Sequence, residues 1–307
     1  MPEASVRRGT AFAPAHVSGI FVPRVDARDP RARGSVGAGL VLSAGVTAAV
    51  TWERASRPSV VLATDVRSRL EISCAVARRL LAHRPGRLSV HLQHDLPIGQ
   101  GFGSSAAGAL ATGLALASTL GVPRKKAAEV AHLADLFGGG GLGGVAAILG
   151  GGLELRIRPG IPPYGRVVRH HVDRTVLVGT VGAPIRSPEV LADPALMRRF
   201  SVGERLFEDL ADRPTWERFW EVSERFTDEV GLAPPRLRAV VRGLRRRGAP
   251  AAQAMFGASF FASPPSGERG REVRRWLARA GITYRELAVA RRGARTRVAG
   301  APRRGRR

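Results

Sequence analysis

The chain has 307 residues with a formal net charge of +24, 44% hydrophobic and 24% charged residues. That length accommodates two modest domains, and the hydrophobic share is ample for an ordinary buried core, which excludes a disordered or fibrous chain. Lys125 and Lys126 are the only lysines among 49 basic residues, and Cys74 is the only cysteine, so the charge is an arginine charge and an internal disulfide is excluded.

In chain order, residues 10–22 read as a strand entering a turn, with Pro14, His16 and Gly19 close together. Residues 26–39 are charged and glycine-rich and read as a loop. Residues 40–52 read as one or two strands broken at Gly45, and residues 59–63 as a short strand. The spacing of Leu70, Ala77 and Leu81 predicts a helix over 66–81. In "RLSVHLQHDLP" the apolar residues Leu88, Val90 and Leu92 alternate with polar ones, which predicts a half-buried strand. That strand runs straight into "PIGQGFGSSAA" (97–107). Ser104 and Ser105 suit a helix N-cap, and the Ala/Leu run after them is the helix, stopped by Gly121 and Pro123. A second helix runs from Arg124 to about Phe137. Residues 138–152 begin too rich in glycine for a regular element, and Leu153–Ile157 is a strand. Pro159, Pro162 and Pro163 mark a seam between two halves. Beyond it come a strand at 176–181, a helical region over 188–230, a helix at 235–247, a turn and strand within 251–262, a helix at 271–280 and a closing strand at 284–290. The last 17 residues carry eight arginines and read as a disordered basic tail.

No stretch combines the length and apolarity of a membrane span, and no charged-then-apolar signal segment opens the chain, so the expectation is a cytoplasmic protein with no membrane partner. The positive charge favours anionic ligands. Nucleic acid is not the expected partner, because zinc-ligand spacing and an aromatic ladder for stacking bases are both missing.

Gly99, Gly101 and Gly103 fall within five positions at the mouth of a helix. A helix N-terminus carries unpaired N–H groups and about half a positive charge, and glycine lets an anion approach the backbone. A phosphate fits such a turn. The pattern is neither a Walker A loop nor a dinucleotide-binding fingerprint, and taken alone it also fits a plain turn that opens a buried helix.

"PIGQGFGSSAA" resembles the second motif of the GHMP kinase superfamily, Pro-x-Gly-x-Gly-Leu-Gly-Ser-Ser-Ala, with Phe102 in place of Leu. "AFAPAHVSGIF" (11–21), "GSVGAGLVL" (34–42), "AHLAD" (131–135), "GLGGVAA" (141–147), "GGGLELRIRPGIPPYG" (150–165) and "AQAMFGASFFA" (252–262) resemble further blocks of archaeal pantoate kinases, in order. The resemblance spans roughly residues 10–290. It implies an α+β, two-domain GHMP kinase fold. Residues 1–165 would form a mixed α/β ATP-binding domain with the Gly/Ser phosphate loop. Residues 166–290 would form a ferredoxin-like domain, and 291–307 the tail. It also implies ATP and Mg²⁺ as cofactors, phosphorylation of pantoate to 4-phosphopantoate on the route to coenzyme A, and a homodimer. Related kinases for mevalonate or homoserine are the alternative.

By the same resemblance, Pro97, Gly99, Gly101, Phe102, Gly103, Ser104, Ser105 and Ala106 would hold the nucleotide. Ser105 and Asp135 would serve the metal and the catalysis; Asp135 stands one methylene short of the family's Glu. Ser35, His132, Arg156 and His16 would line the acceptor pocket. A surface acid, a buried structural histidine or an ordinary turn are the plainer readings of Asp135, His132 and His16. Gly257 in "QAMFGASF" would pack beside the phosphate loop, and Ala258 follows it where the family tends to carry Asn. The family block Gly-Leu-Gly-Asp-Val reads Gly141-Leu142-Gly143-Gly144-Val145 here. The Asp that relatives are expected to use as base is absent, which leaves either an enzyme that works without it, with help from Asp135, or a weakened relative.

Overall fold

The computed structural model describes residues 6–65, 70–185 and 187–297. In chain order these form β1 (Arg7–Arg24), β2 (Gly34–Glu53), β3 (Pro58–Thr64), α1 (Glu71–Leu81), β4 (Gly86–His94), α2 (Ser104–Leu120), α3 (Arg124–Phe137), α4 (Gly144–Ala147), β5 (Leu153–Arg158) and β6 (Arg166–His170). After these come β7 (Thr175–Thr180), α5 (Ser187–Ala192), α6 (Pro194–Arg199), α7 (Gly203–Asp212), α8 (Trp216–Val230), α9 (Pro235–Arg246), β8 (Ala251–Gln253), β9 (Ser259–Ala262), α10 (Gly267–Arg279), β10 (Tyr284–Ala288) and β11 (Arg295–Arg297).

The larger sheet runs β11-β1-β2-β4-β3, with β5 and β6 continuing from the first part of β2. Its spine is the antiparallel pair β1–β2, whose register shifts at Pro14/His16 and again at Ser18/Ile20. A proline cannot donate to a ladder and is tolerated at a bulge, and a bulge re-aims the side chain beside it. That side chain is His16. The expected break at Gly45 does not occur: β2 is continuous through it. A Cβ at Gly45 would stand 2.8 Å from Pro14 Cα, so this glycine permits a close crossing of two strands. The loop predicted over 26–39 ends at Arg33 and the strand begins at Gly34, where a Cβ would stand 2.8 Å from Leu142 O and 2.9 Å from Gly160 N.

One face of this sheet is covered by α1 and α2, with α3 packed against both helices. Fourteen of the 17 residues of α2 are buried. A helix apolar all round belongs in a core, and its alanines and glycines let the sheet and two helices approach together. The other face of β1 and β2 packs on α7, α8 and the smaller sheet. Phe21 meets Phe200 and Phe256 edge to face, with ring centroids 5.6 and 4.9 Å away. Such pairs contribute roughly 0.5–1.5 kcal/mol beyond their buried area.

The smaller sheet has the order β10-β7-β9-β8, all antiparallel. Strand, helices, two strands, helix, strand in that order is the ferredoxin-like arrangement, as expected for the second half. Its boundaries differ from the expected 1–165, 166–290 and 291–307. Strand β6 pairs with β5 and so extends the larger sheet to His170. Beyond residue 290, the chain returns to that sheet as β11 on the outer edge of β1. Residues 291–297 are therefore structured: an edge strand needs a partner more than it needs apolar side chains, and arginine-rich β11 supplies the backbone groups. The rest of the expected tail, 298–307, lies outside the described residues.

Candidate active site

Between the two sheets lies a cleft of about 390 Å³, a volume suited to a small ligand. The loop from β4 to α2 forms its floor. Asp95 anchors the loop's start, its carboxylate accepting from Gly45 N at 3.0 Å. The chain then turns through Gly101 (φ +76°) and Gly103 (φ +66°), both in the left-handed region that glycine adopts without strain. Gly103 is the N-cap of α2 and caps with no side chain. Ser104 and Ser105, expected as caps, stand inside the first turn instead. The first-turn N–H groups are thereby left without helical partners and available to an anion.

The loop is clamped from behind. Gln100 donates to Gly182 O at 2.9 Å and accepts from Ser259 Oγ at 2.8 Å, and Gln253 donates to Gly257 O at 2.9 Å. A Cβ at Gly257 would stand 2.7 Å from Gly101 N, so this position keeps the second sheet in contact with the loop's backbone. His16 N donates to Phe102 O at 3.1 Å and ties the loop to β1.

Asp135 on α3 reaches the cleft below Ser105. Burial pushes its carboxyl up to about 7, against the opposing hydrogen bond from the Ser105 hydroxyl. Its Oδ1 is buried with no hydrogen-bond partner. An orphaned carboxylate oxygen beside a hydroxyl fits a Mg²⁺ ion, which takes one or two protein oxygens and completes its shell with water and phosphate. Among the described residues no group of three His, Cys, Asp or Glu could hold a metal by itself, so phosphate oxygens would have to complete the shell. The glycine run 138–144 lines this part of the cleft closely. A Cβ at Gly140 would lie 2.7 Å from Ser105 Oγ, and one at Gly143 2.6 Å from Ser35 Oγ and 3.0 Å from Arg156 Cδ.

On the opposite side, β5 presents Glu154 and Arg156 on one face, two residues apart along a strand. Arg156 Nε donates to Ser35 Oγ at 3.2 Å, its NH2 to Ile20 O at 3.3 Å and its NH1 to Glu154. Glu154 is wholly buried and also takes His16 Nε2 at 2.8 Å, while its Oε2 has no partner. With Arg156 beside it, Glu154 is the acceptor, so the His16 proton sits on Nε2. Burial lowers the His16 pKa, with Glu154 opposing and Arg156 and Arg169 reinforcing the fall, so the ring is neutral.

The cleft thus gathers Gly99, Gly101, Phe102, Gly103, Ser104, Ser105, Ala106, Asp135, Ser35, Arg156 and His16. It does not gather Pro97 or His132. His132 is buried against the backbone of Pro30 and Arg33, which keep it from losing proton affinity to burial altogether, and its Nε2 is unpartnered. Three residues on a helix leave His132 only about 60° from Asp135 but one turn along the axis, where the 30–33 turn rather than the cleft faces it. Glu154 was missed by sequence reasoning. The "LELR" alternation carried the signal, since it puts Glu154 and Arg156 on the same face. The cleft's remaining lining joins the apolar Leu70, Ile72, Ile98, Pro184 and Ile185 with the polar Glu71, Ser73 and His94.

A glycine-turned helix N-terminus facing a buried carboxyl–hydroxyl pair, between these two sheets, can receive a phosphate chain and a divalent cation side by side. The sequence model of the GHMP kinases N terminal domain matches residues 71–152. A pantoate kinase of Thermococcus kodakarensis is 36% identical over 82% of this chain and 86% of its own length. A pantoate kinase of Methanospirillum hungatei is 32% identical over 83% and 87%. A solved structure described as a phosphotransferase related to the CoA biosynthesis pathway superposes with a TM-score of 0.84 at 29% identity, covering 96% of this chain and all of its own. The chain belongs to the GHMP kinases, and within them to the family of these pantoate kinases.

Proposed function

We propose that this chain transfers the γ-phosphoryl group of ATP to a hydroxyl of pantoate, giving 4-phosphopantoate for coenzyme A biosynthesis in the cytoplasm. The observation that carries the reading is the loop at 97–107. Its first-turn amides open onto the same cleft as the Ser35–Arg156 pair, which supports reading the two as adjoining anion and acceptor sites. The relatives supply the acceptor's identity.

In this reading the α2 amides, with Gly99, Gly101 and Gly103, receive the triphosphate, and the lining by Ile98 receives the base. Ser105 and Asp135 hold Mg²⁺, which neutralises phosphate charge when bound. Arg156 and Ser35 orient pantoate's carboxylate and hydroxyls. Phosphoryl transfer goes through a loose transition state in which positioning and charge stabilisation dominate, so the glycine at 144 does not preclude activity. His132 supports the turn beneath Ser35 without touching the acceptor.

The test is ADP release with saturating Mg²⁺–ATP and pantoate, mevalonate or homoserine. The expected result is a kcat/KM for pantoate at least ~100-fold above the others, as a site built around the acceptor's polar groups can supply. A comparable value for either competitor overturns the acceptor assignment. ATP binding with no turnover of any of the three would identify the weakened relative that Gly144 suggests.

A further inference from the structure

We propose that His16, held by Glu154, takes the proton from the acceptor hydroxyl. This rests on reading the cleft as a kinase site with its acceptor beside Arg156. His16 stands at the bulge of β1, between the two halves of the reaction. Its backbone N–H bonds the phosphate loop at Phe102 O, and its ring reaches Glu154 and Arg156 on the acceptor side. A Cβ at Gly39 would lie 2.8 Å from the ring's Cε1, so the strand behind is cut back to seat the imidazole.

The two ring nitrogens have different partners. Nε2 carries the proton toward Glu154. Nδ1 has no hydrogen-bond partner among the described residues, and His16 borders the cleft. A neutral imidazole whose far N–H is held by a carboxylate is oriented, fixed in one tautomer, and supported when it becomes charged. The other carboxyls near the reacting centre are committed. Glu154 is buried behind two basic groups, and Asp135 faces Ser105. No carboxylate stands at position 144, and a Cβ there would lie 2.7 Å from Ala106 Cβ. The cleft's second histidine, His94, pairs with Val46 of β2, whereas His16 pairs with Val41. Five strand residues separate those positions by about 16 Å, and His94 Nδ1 is engaged by Asp65 at 3.3 Å.

In the step itself, the acceptor oxygen attacks the γ-phosphorus and its O–P bond forms. The bond from γ-phosphorus to the bridging oxygen breaks, ADP leaves with that electron pair, and the hydroxyl proton passes to Nδ1. The imidazolium faces Glu154, with Arg156 on the same strand and Arg169 on β6 as the opposing charges. Water then removes the proton as product leaves.

Three variants at saturating Mg²⁺–ATP test this, each compared with wild-type turnover of pantoate. His16→Gln can keep a donor to Glu154 but places no base at Nδ1. Its kcat should fall ~10²–10⁴-fold, the range of general-base help, with both KM values within threefold. His16→Ala should regain at least tenfold in kcat with added imidazole, and Glu154→Gln should lose about tenfold in kcat. A His16→Gln enzyme within threefold of wild-type kcat overturns the assignment, and so does a His16→Ala enzyme indifferent to imidazole while Glu154→Gln retains full kcat. If either His16 variant does not fold, the Glu154→Gln result decides alone. Failure of wild type to use pantoate instead strikes the underlying reading of the site.

Discussion

At the scale of single residues, Asp135 shows a carboxyl whose burial carries a cost in stability. Its pKa of about 7 in the folded chain stands above the ordinary aspartate value. Between the two, the folded protein binds a proton that the unfolded chain has released, so stability falls as pH rises from about 4 to about 7. The full penalty above pH 7 is on the order of 4 kcal/mol. Asp135→Asn should therefore stabilise the metal-free protein by a few kcal/mol at pH 8 and hardly at all at pH 4, measured by urea unfolding at both. The same variant should lose Mg²⁺–ATP turnover. Gly144 makes the opposite point. The obvious repair, Gly144→Asp, brings its Cβ to 2.7 Å from Ala106 Cβ on a packed helix. It should cost ~1–3 kcal/mol, as overpacking does, without raising kcat. Pairing it with Ala106→Gly should recover part of that stability, a non-additive coupling expected of residues in contact.

At the scale of elements, the smaller sheet braces the glycine loop through the Gln100 bonds to Gly182 and Ser259. Gly101→Ala must adopt a positive φ and meets Ala254 O well inside contact distance, and Gly257→Ala similarly meets Gln100 O. Both should raise KM for ATP at least ~10-fold. Gly121→Ala, at φ +69° with nothing within 4 Å, should lose ~1 kcal/mol of stability and leave KM for ATP alone. Steady-state kinetics and thermal unfolding on the three variants separate strain from contact. This comparison also marks how much was legible in the sequence. The loop, α2, α3 and the alternating strand β4 were readable because each carries its own period or breaker. The unbroken β2 was not, because Gly45 and Gly34 look like breakers in one dimension and act as points of close backbone approach in three. Glu154 escaped for a similar reason: its value lies in what β1 and β6 bring against it, and only its spacing from Arg156 was local.

At the scale of the whole molecule, the arginine-rich end is partly architecture. Ala294 N donates to Ile148 O at 2.8 Å, Arg124 donates to Ala294 O at 2.6 Å, and Arg295 lies over the Phe12 ring at 4.8 Å. Gly152 N likewise bonds Ala290 O at 2.8 Å, so this segment buttresses the turn that leads into β5 and its Glu154–Arg156 pair. Ending the chain after residue 297 should leave kcat and Tm unchanged. Ending it after residue 290 should lower Tm by several degrees and kcat with it, since β11 leaves the edge of β1 uncovered. Differential scanning calorimetry and turnover on the two truncations check this. The +24 net charge adds a long-range pull on ATP and pantoate, both anions, which salt should weaken within the screening length. Phosphorus NMR of the purified protein with Mg²⁺–ATP and pantoate observes the transfer directly. The expected result is a phosphomonoester resonance on pantoate growing in step with ADP. A spectrum in which ATP persists, or in which ADP and free phosphate form with no ester, would contradict it.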